Sequence, residues 1–300
     1  MKQAIIDIGS NSMRLTVYEI MGEKFKILFR EKSMAGLAGY VEEGRLSAEG
    51  IARACSGLLE FRERLAALDI LNVAVFATAS LRNIFNTAEA VWAIQTATGF
   101  SVEVLSGTEE ALLGYYGAEL EASSPSGAFL DIGGGSTEII GAADGKVIFA
   151  ESIPVGSRGI TERFFANGEN DASIRAAKEF FGSETDKLSL PECLKGVPQV
   201  GIGGCLRAVG KYDRRDTTKE KLAKHTISRD RLEKIFDEII HSSVEERKKM
   251  PGIGEERADI ILGGIIPLIC LTERLNPPSL TVADVGVRDG ILFDFMNNGR

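Results

Sequence analysis

The chain has 300 residues, 44% of them apolar, and a formal net charge of −8. That length and apolar content support a substantial core and favour two domains over one. The acidic balance argues against broad, nonspecific nucleic-acid binding, although a local basic cleft for a phosphorylated small substrate can exist on an acidic protein.

In chain order, Ala4–Ile8 predicts a short buried strand. After a turn at Gly9–Ser12, Met13, Leu15 and Val17 alternate with Arg14, Thr16 and Tyr18, the period of a half-buried strand. Lys24–Phe29 continues the meander. Ser47 opens a helix through Leu68, Asn72–Thr78 is an apolar strand, Thr87–Thr98 is a helix ended by Gly99, and Val102–Leu105 is another strand. Three meandering strands followed by helix–strand–helix–strand is the ribonuclease-H-like arrangement, and the same order starts again at Phe129.

Residues 106–122 link the halves. Ser106-Gly107-Thr108-Glu109 has the spacing of a capping box, which starts a helix through Leu112, Tyr115 and Tyr116. In the second half, Asp144-Gly145 makes a turn into the strand Lys146–Ile153. Helices are expected over Arg158–Ala166 and Ala172–Thr185, then a strand Val197–Ile202 running into Gly203-Gly204 and a helix to Tyr212. Lys211–Lys224, with six basic and three acidic residues, reads as an exposed loop, either a solvated surface or a rim attracting polyanions. Arg231–Ile240, Val244–Lys249 and Glu255–Leu275 are expected to be helical, Leu280–Val285 a strand and Arg288–Met296 a final helix.

The stretch Ala128–Gly141, AFLDIGGGSTEIIG, organises the second half: an apolar run, Asp131, three glycines, Ser136, Thr137 and Glu138. Three glycines weaken an ordinary strand. They make sense where backbone must approach a ligand and offer its N–H groups to an anion, and a plain hairpin turn accounts for them equally well. Asp131 and Glu138 are hard oxygen ligands of the type Mg²⁺ takes alongside phosphate oxygens. A second copy breaks the tie. Ala4–Tyr18, AIIDIGSNSMRLTVY, aligns its Asp7-Ile8-Gly9 with Asp131-Ile132-Gly133, so that Ser12 matches Ser136 and Arg14 falls opposite Glu138. Two related domains, 1–120 and 121–300, are therefore expected to face one another across a cleft, with room for the last helix to pack back on the first. One turn would hold phosphate with Arg14, the other a metal with Glu138.

The four cysteines, Cys55, Cys193, Cys205 and Cys270, show no paired metal spacing and read as reduced cytosolic thiols. No signal-peptide pattern precedes the first strand. The most apolar long stretch, Ile260–Leu271, is 12 residues with Pro267 inside it, too short to span a membrane. A cytoplasmic protein with no membrane partner is the expectation.

Over nearly its whole length the sequence resembles the exopolyphosphatase/guanosine pentaphosphate phosphatase (Ppx/GppA) family of the actin-like ATPase superfamily. The segments that carry this are IDIGSNSMRL, ATASLRN, VEVLSGTEEALLGYYGA, LDIGGGSTEII, ESIPVGSRGITE, GIGGCLRAVGKY, RADIILGGI and TVADVGVRDGIL. The resemblance implies an α/β fold of two ribonuclease-H-like domains with an interdomain cleft. It also implies hydrolysis of the terminal phosphate of polyphosphate, or of the 5′-γ-phosphate of pppGpp, with Mg²⁺ or with Mn²⁺ in its place. Carried over by motif, the catalytic base falls on Glu110, the second glutamate of SGTEEA, and a phosphate-binding arginine on Arg82 of ATASLRN. Phosphate contacts fall on Ser10, Asn11, Ser12, Arg14, Gly133, Gly134, Gly135, Ser136 and Thr137. Metal binding falls on Glu138, with Asp131 and Asp7 as weaker candidates.

Two departures stand out. Cys205 occupies a place usually held by threonine or serine, which puts a hydroxyl contact of that loop in doubt. Longer members continue into a helical HD-like domain with a His-Asp motif, and neither His225 nor His241 precedes an Asp. The resemblance is thus to the short form, without the extension's grip on long chains.

The residues themselves agree with this chemistry. Phosphoryl transfer needs positioning and neutralised charge more than covalent help, and hydrolysis needs a carboxylate within reach of water. Glu109, as the third residue of the capping box, has a structural task, whereas Glu110 is turned about 100° away by the helical period. Bland readings stand beside each assignment: Glu110 as a helix-dipole acid, Arg82 as an interdomain ion pair, and Asp7 and Asp131 as turn-holding carboxylates. An ATP-dependent kinase of the same superfamily would need an adenosine pocket beside Gly203–Arg207, and a non-catalytic alarmone sensor would have no need of Glu110. A homodimer is common among family members, and no surface stripe here demands one.

Overall fold

A computed structural model describes residues 1–22, 24–122, 126–215 and 224–298. The chain forms two compact units, Met1–Glu110 with Ile291–Arg300, and Ala111–Gly290. The boundary falls inside a helix just after Glu110.

The first unit holds strands β1 (Lys2–Ile8), β2 (Met13–Met21), β3 (Lys24–Ser33), β4 (Val73–Ala77) and β5 (Val102–Val104), with helices α1 (Ala48–Ala67), α2 (Ala79–Arg82) and α3 (Thr87–Thr98). Its sheet order is β3-β2-β1-β4-β5, antiparallel in the meander and parallel from β1 through β4 to β5. Ala4, Ile6 and Ile8 of β1 and Leu15 and Val17 of β2 are buried in one cluster with Leu58, Phe61 and Leu65 of α1 and Ile94 of α3. The 54, 58, 61, 65 spacing puts one stripe of α1 on the sheet. Ser47 caps that helix by accepting from the Gly50 amide at 3.3 Å, a contribution of about 1 kcal/mol. Gly99, left-handed at φ 71°, ends α3.

Helix α4 (Gly107–Ala122) leads into β6 (Gly127–Ile132), β7 (Thr137–Ala143) and β8 (Lys146–Ile153), then α5 (Ser157–Ile160) and α6 (Asp171–Asp186). Strand β9 (Gln199–Ile202), α7 (Gly204–Asp213), strand β10 (His225–Ser228), α8 (Arg229–Ile240), α9 (Val244–Lys249), α10 (Ile261–Leu275), β11 (Ser279–Val282) and α11 (Val287–Asn298) follow. The second sheet runs β8-β7-β6-β9-β11-β10. Leaving aside the added edge strand β10, it repeats the first unit's order, and both units are α/β sheets of ribonuclease-H-like topology. Ile132, Ile139, Phe181, Leu206, Ile235 and Leu280 pack around α10 in the main core. Pro267 removes one hydrogen bond of α10, a cost of about 3 kcal/mol. Buried Ile261, Leu262, Ile265, Ile266, Leu268 and Leu271, each contributing about 1.5–3 kcal/mol, outweigh it.

Three local expectations change, and one strand is added. The helix expected from Glu255 starts at Ile261, because Gly252 and Gly254 hold positive φ of 80° and 60° and the chain turns through 254–260 first. The helix expected over Arg158–Ala166 is the short α5 followed by a π-helical turn, Thr161–Phe165. Lys211–Asp213 complete α7 rather than beginning a loop, and His225–Ser228 pairs antiparallel with β11. Residues 216–223 of the expected loop lie outside the described residues. No helix among the described residues is long and apolar enough to cross a membrane.

Candidate active site

The twin turns fold alike. In β1–β2, Asp7 stands opposite Arg14 and Ile8 opposite Met13; in β6–β7, Asp131 stands opposite Glu138 and Ile132 opposite Thr137. A Cβ on Gly9 would sit 2.9 Å from the Ser12 carbonyl oxygen, too close to be accommodated without a backbone shift, and one on Gly133 would sit 3.3 Å from that of Ser136, a tight contact in the matching place. In the first turn the Ser10 and Asn11 carbonyls accept the amides of Ala38 and Gly36 at 3.0 and 2.9 Å. Ser12 is buried, and its hydroxyl accepts from Arg14 Nε at 3.4 Å.

The second turn is anchored through its carbonyls. Gly133 O accepts the Ser157 amide at 2.9 Å and the Ser157 hydroxyl at 3.1 Å, and Gly134 O accepts the Arg158 amide at 3.0 Å. In a trans peptide the next N–H points opposite to the carbonyl. The amides of Gly134 and Gly135 are therefore aimed away from α5, on a half-buried loop, which is the disposition that suits an anion. Ser136 is buried beside them. Thr137 is fully buried and its hydroxyl donates to Val155 O at 2.8 Å, so it secures the turn.

Glu138 is 1% exposed, and its carboxylate accepts the Ser152 hydroxyl at 2.7 Å. Its register partner Asp131 abuts a second glycine turn. A Cβ on Gly203, whose φ is +91°, would lie 2.4 Å from Asp131 Oδ1. Among the described residues no three acidic, histidine or cysteine side chains converge as a metal cage. A cross-strand Asp131–Glu138 pair fits Mg²⁺, which is held by one or two carboxylates with phosphate and water completing its shell. Asp7 belongs to the first unit.

Helix α2 seats Arg82. The Ser80 hydroxyl donates to Ile8 O, which ties α2 to the end of β1 just before its turn. Arg82 Nη1 donates to Leu105 O at 3.1 Å and to Glu110 Oε2 at 2.6 Å. Glu110 is only 8% exposed, so the pair is strongly felt. One residue earlier, Glu109 accepts the Ser106 amide at 2.8 Å while the Ser106 hydroxyl accepts the Glu109 amide at 3.2 Å, a complete capping box. Adjacent acids thus point to different partners: Glu109 closes the helix, and Glu110 meets Arg82.

Two arginines escaped the sequence reading. A Cβ on Gly204 would fall 2.4–2.7 Å from Nη2, Nη1 and Cζ of Arg257, so that guanidinium lies flat on the glycine turn at the start of α7. Arg257 also flanks buried Cys205, whose thiol is pushed up by burial against the opposing influence of Arg257 and the Ser157 hydroxyl, with Asp131 adding to the rise. Arg207 donates to Val285 O at 3.4 Å and lies 3.6 Å from Asp284 Oδ1; burial lowers its pKa, Asp284 opposes that, and Arg257 and Arg288 reinforce it. The only sequence signal for Arg257 was its place at the head of RADIILGGI, which read as helix.

A model of the Ppx/GppA phosphatase family matches residues 16–299. The chain belongs to the Ppx/GppA phosphatase family. It is therefore an enzyme, a phosphoanhydride hydrolase. This Ppx/GppA chain is 22% identical to an exopolyphosphatase from Cytophaga hutchinsonii, with 99% of this chain and 98% of that one covered at a TM-score of 0.87. It is 26% identical to the Aquifex aeolicus member of the Ppx/GppA family, over 100% and 99% of the chains, with a TM-score of 0.85. A second Aquifex aeolicus structure, of the PPX-GPPA enzyme, is 27% identical over 97% and 98% with a TM-score of 0.80.

Proposed function

We propose that the chain is an exopolyphosphatase that removes the terminal phosphate of inorganic polyphosphate, with short chains preferred. Water attacks the terminal phosphorus, the bridging P–O bond breaks, and its electrons leave with the shortened chain. Glu110 takes the proton of the attacking water. The observation that carries this reading is the division of labour between Glu109 and Glu110: the carboxylate that no cap requires is the one held against Arg82. In this reading Arg82 and Arg14, with the Ser10–Ser12 turn, bind phosphate oxygens in the first unit, and the Gly133–Ser136 amides and Arg257 do so in the second. Mg²⁺ at Glu138 and Asp131 would neutralise phosphate charge when bound. Loose transition states of this kind respond to such positioning more than to covalent help.

A kinase needs a nucleoside beside Gly203–Arg207, and the guanidinium lying on Gly204 weighs against that. Orthophosphate release from polyphosphates of defined length, without any acceptor and beside pppGpp, tests the proposal. The highest kcat/KM is expected on short polyphosphates. A strong preference for pppGpp would move the function to alarmone conversion, and release only with an acceptor and ATP would restore the kinase.

A further inference from the structure

Arg247 of α9 has no exposed surface, although a lone buried guanidinium is costly. Here it is fully engaged. Its Nη1 and Nη2 clasp the two carboxylate oxygens of Glu169, and Nε donates to Ser242 Oγ at 3.1 Å. Nη2 also donates to Ser242 O at 2.7 Å, and Nη1 to Ala258 O at 3.3 Å. One side chain therefore ties the end of α8 and the residue before the Asn170 cap of α6 to the turns between α9 and α10.

The last of these contacts matters for the site. Residues 250–260 form successive turns, in which Arg257 and Ala258 both donate their amides to Gly254 O, at 3.3 and 3.1 Å. Arg257 O in turn accepts the Ile260 and Ile261 amides at 3.0 and 2.8 Å, so local bonds join 257–258 to the head of α10 while Arg247 grips the Ala258 carbonyl from outside. Arg257, whose guanidinium lies on Gly204, is the neighbour of the very residue whose carbonyl Arg247 grips.

We infer that Arg247 is a positioning residue: by holding the 257–258 backbone it aims Arg257 at the Gly203–Gly204 turn for phosphate binding. This rests on the proposed exopolyphosphatase reading. Lysine at 247 would keep the charge against Glu169 but could not span Glu169, both Ser242 oxygens and Ala258 O together, because it lacks the planar fork.

The test is a double-mutant cycle of Arg247→Lys and Arg257→Gln, read in polyphosphate hydrolysis and in calorimetric binding of inorganic phosphate. Arg247→Lys alone is expected to raise KM about tenfold with kcat within about threefold, and to weaken phosphate binding similarly, about one decade. In the Arg257→Gln background it should add almost nothing. Equal losses in both backgrounds, or a lowered Tm with unchanged KM and phosphate affinity, would overturn the inference. Should Arg247→Lys fail to fold, Glu169→Gln, which loosens the same clasp while keeping its shape, takes its place in the cycle with the same expected outcomes. A wild-type protein that binds phosphate yet hydrolyses no polyphosphate overturns the functional reading alone, since the binding cycle still decides the role of Arg247.

Discussion

Arg82 donates to Glu110 across 2.6 Å in a setting where Glu110 is 8% exposed. Such a pair holds the carboxylate in one place, and in the proposed reaction the guanidinium competes with the water that Glu110 would serve. In the proposed reaction, substrate phosphates draw on the same guanidinium and relax that competition.

The first prediction separates the two glutamates. Glu110→Gln retains size and one carbonyl oxygen but cannot accept the proton. General-base catalysis is worth about 10²–10⁴ in rate, or roughly 3–5.5 kcal/mol of barrier at about 1.36 kcal/mol per tenfold. The variant should lose that factor in kcat with substrate affinity near wild type. Glu109→Gln keeps the capping acceptor and should fall by much less than tenfold. Steady-state kinetics on one short polyphosphate decide it: a swap of the two behaviours reassigns the base by one residue, and no loss in either removes it.

Glu138 is buried, so its variant must preserve packing. Glu138→Gln, still able to accept the Ser152 hydroxyl, is expected to shift the Mg²⁺ dependence of activity to higher concentration while leaving Tm within a few degrees. Ser152→Ala is the control and should move the Mg²⁺ midpoint far less. An unchanged midpoint and maximum in Glu138→Gln would mean that the carboxylate only holds the strand.

Gly203→Ala inserts a methyl group 2.4 Å from Asp131 Oδ1 at a φ of +91°. Both the contact and the backbone disfavour it, the left-handed conformation alone by roughly 1–2 kcal/mol. The chain should lose stability of that order, and activity by more than tenfold as Asp131 is displaced. Thermal unfolding and phosphate release measured together check this, and full activity with lowered Tm would remove Asp131 from the site.

Asp213 supplies a pH-dependent stability. Burial raises its pKa, but hydrogen bonds from Arg231 and His225, at 2.6 and 2.7 Å, outweigh that and leave the carboxyl below its ordinary value of 3.8. A folded pKa below the unfolded one means stabilisation that is complete above the unfolded value and lost as pH falls through the folded one. Asp213→Asn should therefore cost about 2 kcal/mol at pH 7 and progressively less below pH 3.8. Urea unfolding of both proteins across pH 2–7 tests the sign; a penalty independent of pH would contradict it.

Much of this molecule was legible in the sequence because its signals are local. The capping box at Ser106–Glu109 and the helix end at Gly99 each depend on residues a few positions apart, as does the alternation that marks Met13–Tyr18 as a strand, although Thr16 and Tyr18 on its second face are buried as well. The repeated Asp-Ile-Gly aligned the two turns with one another, and the structure gives them matching registers, Asp7 across from Arg14 and Asp131 across from Glu138, because a two-strand hairpin fixes pairing from its turn. What lay beyond it were contacts between distant segments. Residues 255–260 carry a helical pattern, yet two left-handed glycines and the grip of Arg247 on Ala258 hold them as turns. Likewise, nothing near Arg257 in the chain announces Gly204, and nothing near Glu138 announces the burial that Ser152 completes. Periodicity and caps are set by neighbours in sequence, whereas the burial of a charge and the aim of a guanidinium depend on which remote backbone arrives beside it.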